Sequence, residues 1–210
     1  MRLGFYGGTF DPIHNGHIHA ALTVHEYLDA PVHLILAARP SHRVPTQSNA
    51  DHRWRMLNRA CDPYPQLIPN DIEMRSQKPS YTYNTLAALR TAFPERTLCW
   101  VVGQDAFATL PSWYHWEQLL DLCNIVVLQR PGFKVSEPAA MQTLLADRFV
   151  TCFTDQGVGE IVRLNTPMRA ISATQVRAKI TANEPIAELV CEDVDRYIKA
   201  HDLYQKEVAH

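Results

Sequence analysis

Short apolar runs alternate along this chain with stretches whose apolar residues recur at helical spacing. Leu3 to Tyr6 predicts a first strand, and Ile18, Ala21, Leu22, His25 and Leu28 predict a helix after it. Val32 to Ala38 is a near-continuous apolar run, the pattern of a parallel strand buried on both faces. Asp51 to Ala60 predicts a helix capped by Asp51, and Asn70 to Met74 a short strand. Tyr81 to Phe93 carries Leu86, Ala87, Leu89 and Arg90 at helical spacing and stops before Pro94. Leu98 to Val102 predicts a strand ending at Gly103, and Trp116 to Leu122 a helix. Ile125 to Leu128 predicts a strand closed by Arg130-Pro131-Gly132. Further on, helix is expected over 137–147, a turn over 156–159 and a last strand from Ile161 to Leu164. Thr174 to Ile180 and Glu192 to Ala200 predict closing helices. This alternation predicts an α/β fold, a Rossmann-like doubly wound parallel sheet with helices on both faces and a C-terminal helical portion over 172–204. In such sheets ligands bind beyond the carboxyl ends of the strands, where the strand order reverses.

The chain has 210 residues, 46% hydrophobic and 20% charged, enough for one well-buried core and little for a second, so a single domain over 1–210 is expected. A formal net charge of −2 argues against broad nucleic-acid binding, so any phosphate must be held locally. Five cysteines, odd in number and without a CxxC, read as buried thiols of a reducing compartment. No apolar run approaches a membrane span and Gly7-Gly8 interrupts any signal-peptide core, so a cytoplasmic protein with no membrane partner is the expectation.

The candidate chemistry lies first in Gly7-Gly8-Thr9-Phe10-Asp11-Pro12-Ile13-His14-Asn15-Gly16-His17. Glycines at the turn let backbone approach a phosphate, and the start of the following helix offers N–H groups and a positive dipole end. His14 and His17, three apart, stand on one side of that entrance. The string lacks the Gly-Lys-Ser/Thr ending of a P-loop, and no GxGxxG follows the first strand. An isolated His-x-x-His pair would more often be solvated. Zinc is disfavoured because no third ligand lies at a familiar spacing, and no resident metal is expected.

Ser172-Ala173-Thr174-Gln175-Val176-Arg177 is the second such segment. Its hydroxyls open a helix, and Arg177 sits one turn in on the side of Thr174, an arrangement suited to a polyphosphate tail. Read alone, it is also an ordinary N-cap with a solvated arginine.

The first string resembles the HxGH signature of the nucleotidyltransferase superfamily, and the second its ISSTxxR-type phosphate motif, with Ala173 replacing the more usual serine. Together with Pro40-Ser41-His42-Arg43, Pro79-Ser80-Tyr81-Thr82, Val102-Gly103-Gln104-Asp105, Pro111-Ser112-Trp113-Tyr114, Arg130-Pro131-Gly132-Phe133, Tyr197-Ile198 and Leu203-Tyr204, they resemble the bacterial nicotinate-nucleotide adenylyltransferase family from Leu3 to Tyr204. The resemblance implies adenylyl transfer from ATP to nicotinate mononucleotide, giving deamido-NAD and pyrophosphate. It implies His14, His17 and Arg177 as catalytic residues, with Mg²⁺ carried on the ATP phosphates. ATP would be held by Gly7, Gly8, Thr9, Phe10, His14, Gly16, His17, Gly103, Asp105, Ser172, Thr174 and Arg177. Asp105 would accept from ribose hydroxyls; without the family it reads equally as a helix cap. His42 and Arg43 would lie near the mononucleotide phosphate. Trp113, which in isolation would read as core, offers a face for the pyridine ring. Thr82 and Tyr114, at or near helix starts, would present N–H groups to the nicotinate carboxylate. Arg130 either reaches the same ligand or caps the strand end.

The attacking group would be a phosphate, already anionic at neutral pH. No general base is needed, which makes Asp11 a turn-former. A nicotinamide-preferring adenylyltransferase and a non-catalytic nucleotide-binding regulator are the alternatives. Phosphopantetheine adenylyltransferase and glycerol-phosphate cytidylyltransferase are disfavoured by the SYT and PxWY pieces. A homo-oligomer is left open.

Overall fold

In the computed structural model, six strands form one parallel sheet in the order β3-β2-β1-β4-β5-β6. The described residues are 1–40, 45–77, 79–129, 141–142, 145–154, 157–165 and 171–205. The strands are β1 (Arg2–Gly8), β2 (Val32–Leu36), β3 (Leu67–Asn70), β4 (Thr97–Gly103), β5 (Asn124–Gln129) and β6 (Ile161–Asn165). The α-helices are α1 (Asn15–Leu28), α2 (Ala50–Cys61), α3 (Thr82–Ala92), α4 (Gln104–Ala108), α5 (Trp116–Leu122), α6 (Ala173–Thr181) and α7 (Glu192–Ala200). The order runs outward from β1 to β3, returns to the middle and runs outward again through β4. Consecutive crossovers therefore leave β1 and β4 on opposite faces, and a crevice opens between their carboxyl ends.

The strands alternate at period two although both faces are buried. In β4, Leu98, Trp100 and Val102 pack with Leu86 of α3, Phe107 of α4 and Leu119 of α5. Cys99 and Val101 face the other side, with Val24 of α1, Met56 of α2, Val176 of α6 and Val194 and Ile198 of α7. The C-terminal helices thus extend one layer of the sandwich.

Most elements fall within a residue or two of their expected places. Strand β3 does not: it occupies Leu67–Asn70, and the predicted Asn70 to Met74 is a turn stitched by Met74 N–H donating to Asp71 O (2.8 Å). Pro69 removes a donor from this strand, which is tolerable because β3 is at the sheet edge. Asn49, not Asp51, caps α2, accepting from His52 N–H at 2.9 Å, while Asp51 sits in the first turn. The short helix α4 and the 3-10 turn Leu110–Ser112 have no counterpart among the expected elements. Of the helix expected over 137–147, residues 137–140, 143 and 144 lie outside the described residues, Met141, Gln142 and Leu145 are helical, and Ala146–Arg148 is a 3-10 turn. Gln156 of the expected turn is likewise outside them. Among the described residues no helix is long and apolar enough to cross a membrane.

One charged side chain is built into this frame. Arg53, on the inner side of α2 and 1% exposed, donates to four carbonyls. They are Thr9 O (2.7 Å) and Ala37 O (2.8 Å) from Nη1, Ala38 O (3.2 Å) from Nη2 and Ser48 O (3.2 Å) from Nε. The guanidinium joins the loop after β1 to the end of β2. Burial lowers its pKa, opposed by the negative charge of Asp11.

Replacing Arg53 strands those carbonyls. Arg53→Met is expected to lower unfolding free energy in urea by about 3 kcal/mol, and Arg53→Lys to recover little because one ammonium cannot span the four acceptors. A loss under about 1 kcal/mol would contradict the bracing role.

The thiols give a second check. Cys61, Cys99 and Cys123 are buried, but Cys152 is exposed and Cys191 half-buried, so the expectation of five buried thiols is corrected at those two. Burial pushes the Cys61 and Cys99 thiols up to about 12 and raises Cys123 as well. At pH 8 only about one part in ten thousand of a thiol with a pKa near 12 is thiolate. Iodoacetamide at about pH 8 should therefore label Cys152 first in the native protein. Peptide mass spectrometry checks this, and labelling of Cys123 as fast as Cys152 would refute the burial.

Candidate active site

The loop between β1 and α1 lies at the carboxyl edge of the sheet, beside the end of β4. Phe10 takes a left-handed backbone (φ 48°) that a bulky residue adopts only under compulsion. Its ring is 2% exposed and folds back over Gly8, where an added Cβ would come within 2.6 Å of it. Burying such a ring stabilises by about 2 kcal/mol, of the same order as the strain of about 1–3 kcal/mol. Phe10 is therefore core, and only its backbone is left for a nucleotide. The Asp11-Pro12 peptide that follows is cis.

His14 is the N-cap residue of α1, and His17 is in its first turn. Their rings stack with centroids 3.6 Å apart and planes inclined by 20°. His17 also meets the edge of Phe10 at 5.0 Å. At Gly16 an added Cβ would sit 3.1 Å from His14 Nδ1 and press on the stacked ring. The backbone N–H of His14 donates to His17 Nδ1 at 3.3 Å. That bond needs an unprotonated Nδ1, so the neutral ring of His17 carries its proton on Nε2 and can donate with it. The helix start itself is less open than the sequence suggests. Asn15 N–H donates to Leu189 O (2.8 Å) and His17 N–H to His14 O (2.9 Å), leaving Gly16 N–H without a protein acceptor among the described residues.

The second motif is brought onto the first. Ser172 caps α6 by accepting from Gln175 N–H at 3.1 Å, so its hydroxyl oxygen is already engaged. Thr174 is exposed in the first turn and accepts from Arg177 Nη2 at 3.4 Å. Arg177 Nη1 donates to the Asp11 carbonyl at 2.6 Å, which fixes a guanidinium at the phosphate turn. The Asp11 side chain is buried and structural: Oδ2 accepts from Gln47 N–H and Oδ1 from Tyr204 O–H, both at 2.8 Å. Burial and the neighbouring carboxylate raise the Tyr204 phenol, keeping it a donor. Neither Arg53 nor the Asp11–Tyr204 pair stands out in the sequence as part of this site.

Gly7, next to last in β1, lies beside Trp100, and Gly103 ends β4 across the crevice. Asp105 is exposed in the first turn of α4, with its carboxylate folded back over Gly103. Thr9 is braced through its carbonyl by Arg53. Farther along the edge, Thr82 is the first residue of α3, and Tyr114 immediately precedes His115, the N-cap residue of α5. Tyr81 stacks on Tyr114 (4.9 Å, 29°), which draws these two helix starts together. Trp113 is partly buried against the core, its indole N–H donating to Thr109 Oγ1 at 3.3 Å. His42, Arg43 and Arg130 lie outside the described residues. Among the described residues no group of three or more His, Cys, Asp or Glu could hold a metal ion.

A cytidylyltransferase-like family model matches residues 5–179. A probable nicotinate-nucleotide adenylyltransferase of Pseudomonas aeruginosa is 41% identical, with 97% of each chain covered. One of Pseudoalteromonas atlantica is 36% identical over 97% of this chain and 94% of its own. The nicotinic acid mononucleotide adenylyltransferase of Plasmodium falciparum, solved in complex with NaAD, superposes with a TM-score of 0.76 at 19% identity, covering 97% of each chain. That similarity supports the fold. The sequence relatives, matched over almost their whole length, place this chain in the nicotinate-nucleotide adenylyltransferase family.

Proposed function

We propose that the chain transfers the adenylyl group of ATP to nicotinate mononucleotide, releasing pyrophosphate and forming deamido-NAD. The observation that carries this reading is the Arg177–Asp11 hydrogen bond (2.6 Å), which joins a cationic helix start to the stacked His14–His17 pair. Two anion-binding elements from opposite ends of the sequence then face one crevice in a chain of this family. We read residues 1–210 as one nucleotidyltransferase domain.

In the reaction, a 5′-phosphate oxygen of the mononucleotide attacks the α-phosphorus of ATP. The bond from that phosphorus to the bridging oxygen breaks, and pyrophosphate leaves with the electron pair. The nucleophile is anionic before it binds, so the protein's tasks are alignment and stabilisation of growing charge. His17 Nε2–H and the His14 ring donate to oxygens of the α- and β-phosphates, and Gly16 N–H is the backbone donor beside them. Arg177 and the start of α6 hold the β/γ end. The ends of β1 and β4, at Gly7-Gly8-Thr9 and Gly103, make room for the nucleoside, and Asp105 accepts from its ribose. Arg177 and the α6 start would share the charge of that tail with Mg²⁺ carried on the ATP phosphates, whose contribution would be to neutralise part of it. Thr82 and the backbone near Tyr114 receive the pyridine carboxylate, with the exposed face of Trp113 against the ring. His42, Arg43 and Arg130 complete the mononucleotide side. A net charge of −2 suits a reaction in which the anions are held at a few fixed points.

Pyrophosphate release with ATP and each mononucleotide tests the substrate. Nicotinate mononucleotide is expected to exceed nicotinamide mononucleotide in kcat/KM by at least about tenfold, a difference of about 1.4 kcal/mol. Equal values would overturn the acid preference. For the phosphate site, His17→Ala is expected to lower kcat by about a hundredfold, the usual cost of a lost transition-state donor. The KM for mononucleotide should stay within about twofold. Near-normal turnover would remove His17 from the reaction.

A further inference from the structure

A carboxyl group with no part in the reaction just described lies beneath the start of α3. Past the end of β3, Asn70 Oδ1 accepts from Ile72 N–H (3.0 Å), and the turn that follows is closed by Met74 N–H and Arg75 N–H donating to Asp71 O (2.8 and 3.2 Å). An Asp71–Arg75 ion pair (2.7 Å) holds its outer side. This turn carries Glu73 inward. Glu73 Oε1 accepts from the Thr85 hydroxyl at 2.7 Å, and Thr85 is 5% exposed. Burial raises the Glu73 carboxyl, opposed by its hydrogen bonds to Ser80 and Thr85. Its Oε2 is shut off from solvent with no hydrogen-bond partner among the described residues.

A buried carboxyl with an unsatisfied oxygen is a poor way to stabilise a fold. Its position suggests a different use. Ser80 and Thr85 bracket Tyr81 and Thr82, so one carboxyl grips both sides of the segment that opens α3. The same segment is held from two other directions. Ser80 N–H donates to Arg39 O (3.1 Å) while its hydroxyl oxygen accepts from Arg39 N–H (3.2 Å), and Tyr81 stacks on Tyr114. Three independent restraints converge on a short stretch of backbone, as required where N–H groups must meet a ligand at fixed positions.

We infer that Glu73 is a positioning residue for the pyridine end of the mononucleotide: through Ser80 and Thr85 it fixes the α3 start whose N–H groups receive the nicotinate carboxylate. This rests on the proposed assignment of Thr82 and Tyr114 to that carboxylate. Glu73 itself touches neither substrate nor reacting atoms. Its effect is confined to recognition of one substrate.

Steady-state kinetics on Glu73→Ala, Glu73→Gln and Thr85→Val test this, with circular dichroism and thermal unfolding run alongside. Glu73→Ala is expected to raise the KM for nicotinate mononucleotide about tenfold. Its kcat and its KM for ATP should stay within about twofold. Glu73→Gln keeps an acceptor for the Thr85 hydroxyl and should restore KM to within about threefold of wild type. Thr85→Val should raise the same KM and carries the test if Glu73→Ala does not fold. An unchanged mononucleotide KM in the folded variants overturns the inference, as does a rise shared equally with ATP or a fall in kcat alone. Wild-type protein that fails to use nicotinate mononucleotide overturns the proposed function instead, so the two failures are distinguishable.

Discussion

The phosphate turn keeps its shape because the Asp11 carboxylate is buried and answered from several directions. Tyr204 reaches it from near the far end of the chain, Gln47 from the loop after β2, and the charge of Arg53 from beneath. Its own carbonyl holds Arg177. A carboxylate 6% exposed would be costly without such partners. With them it becomes a node at which the first loop, the β2 exit, α6 and the C-terminal segment meet. Tyr204 accepts a left-handed backbone (φ 64°) in making its contact, a further sign that tertiary contacts set this geometry. The two histidines can therefore serve the ligand while a neighbouring acid does the structural work.

The crevice follows from strand order. Because the connections from β1 and β4 leave on opposite faces, their carboxyl ends have no crossover between them, and the two glycine-ended strands present backbone there. Positive potential comes from a few oriented groups: the α1 start with Gly16 N–H, the α6 start, and Arg177. Such groups act at short range, which reconciles a mildly acidic protein with polyanionic substrates.

Periodicity and turn residues make the sheet and its main helices legible, because both report local backbone preference and burial. The exceptions have local causes. Asn49 and Asp51 are both good caps, and backbone geometry decides between them. Strand β3 is displaced from its expected place because Pro69 interrupts a weak apolar run at the sheet edge. Helix α4 is too short for its periodicity to register. The histidine pair and the Ser172 cap are visible as motifs, since each is built within a few adjacent residues. Arg53 and Glu73 are not, because a charged residue read alone looks solvated, and Tyr204, though a piece of the family resemblance, gives no sign in the sequence of its bond to distant Asp11. Arg53 carries one readable trace, its place on the apolar side of α2 next to Met56, Leu57 and Ala60.

Reading an acid with neutral groups places a particular demand on the fold. An arginine would pair with a carboxylate across a range of approach angles, whereas backbone N–H groups donate only along their own axes. On the proposed assignment, selectivity for nicotinate over its amide depends on holding the start of α3 and the approach to α5 in fixed relation. The Tyr81–Tyr114 stack spans that gap, and an aromatic contact of this kind contributes about 0.5–1.5 kcal/mol beyond burial. Tyr83 and His115 meet Tyr114 at 6.1 and 4.0 Å and each other at 4.9 Å, so the stack is supported on a second side. Tyr114 nevertheless remains 48% exposed, and the stack alone leaves the α3 start free to pivot about it. The Ser80–Arg39 pairing at the surface and the Glu73 carboxyl beneath remove that freedom. Acid recognition without a dedicated cation is thus a matter of backbone rigidity, supplied by residues that need not touch the acid.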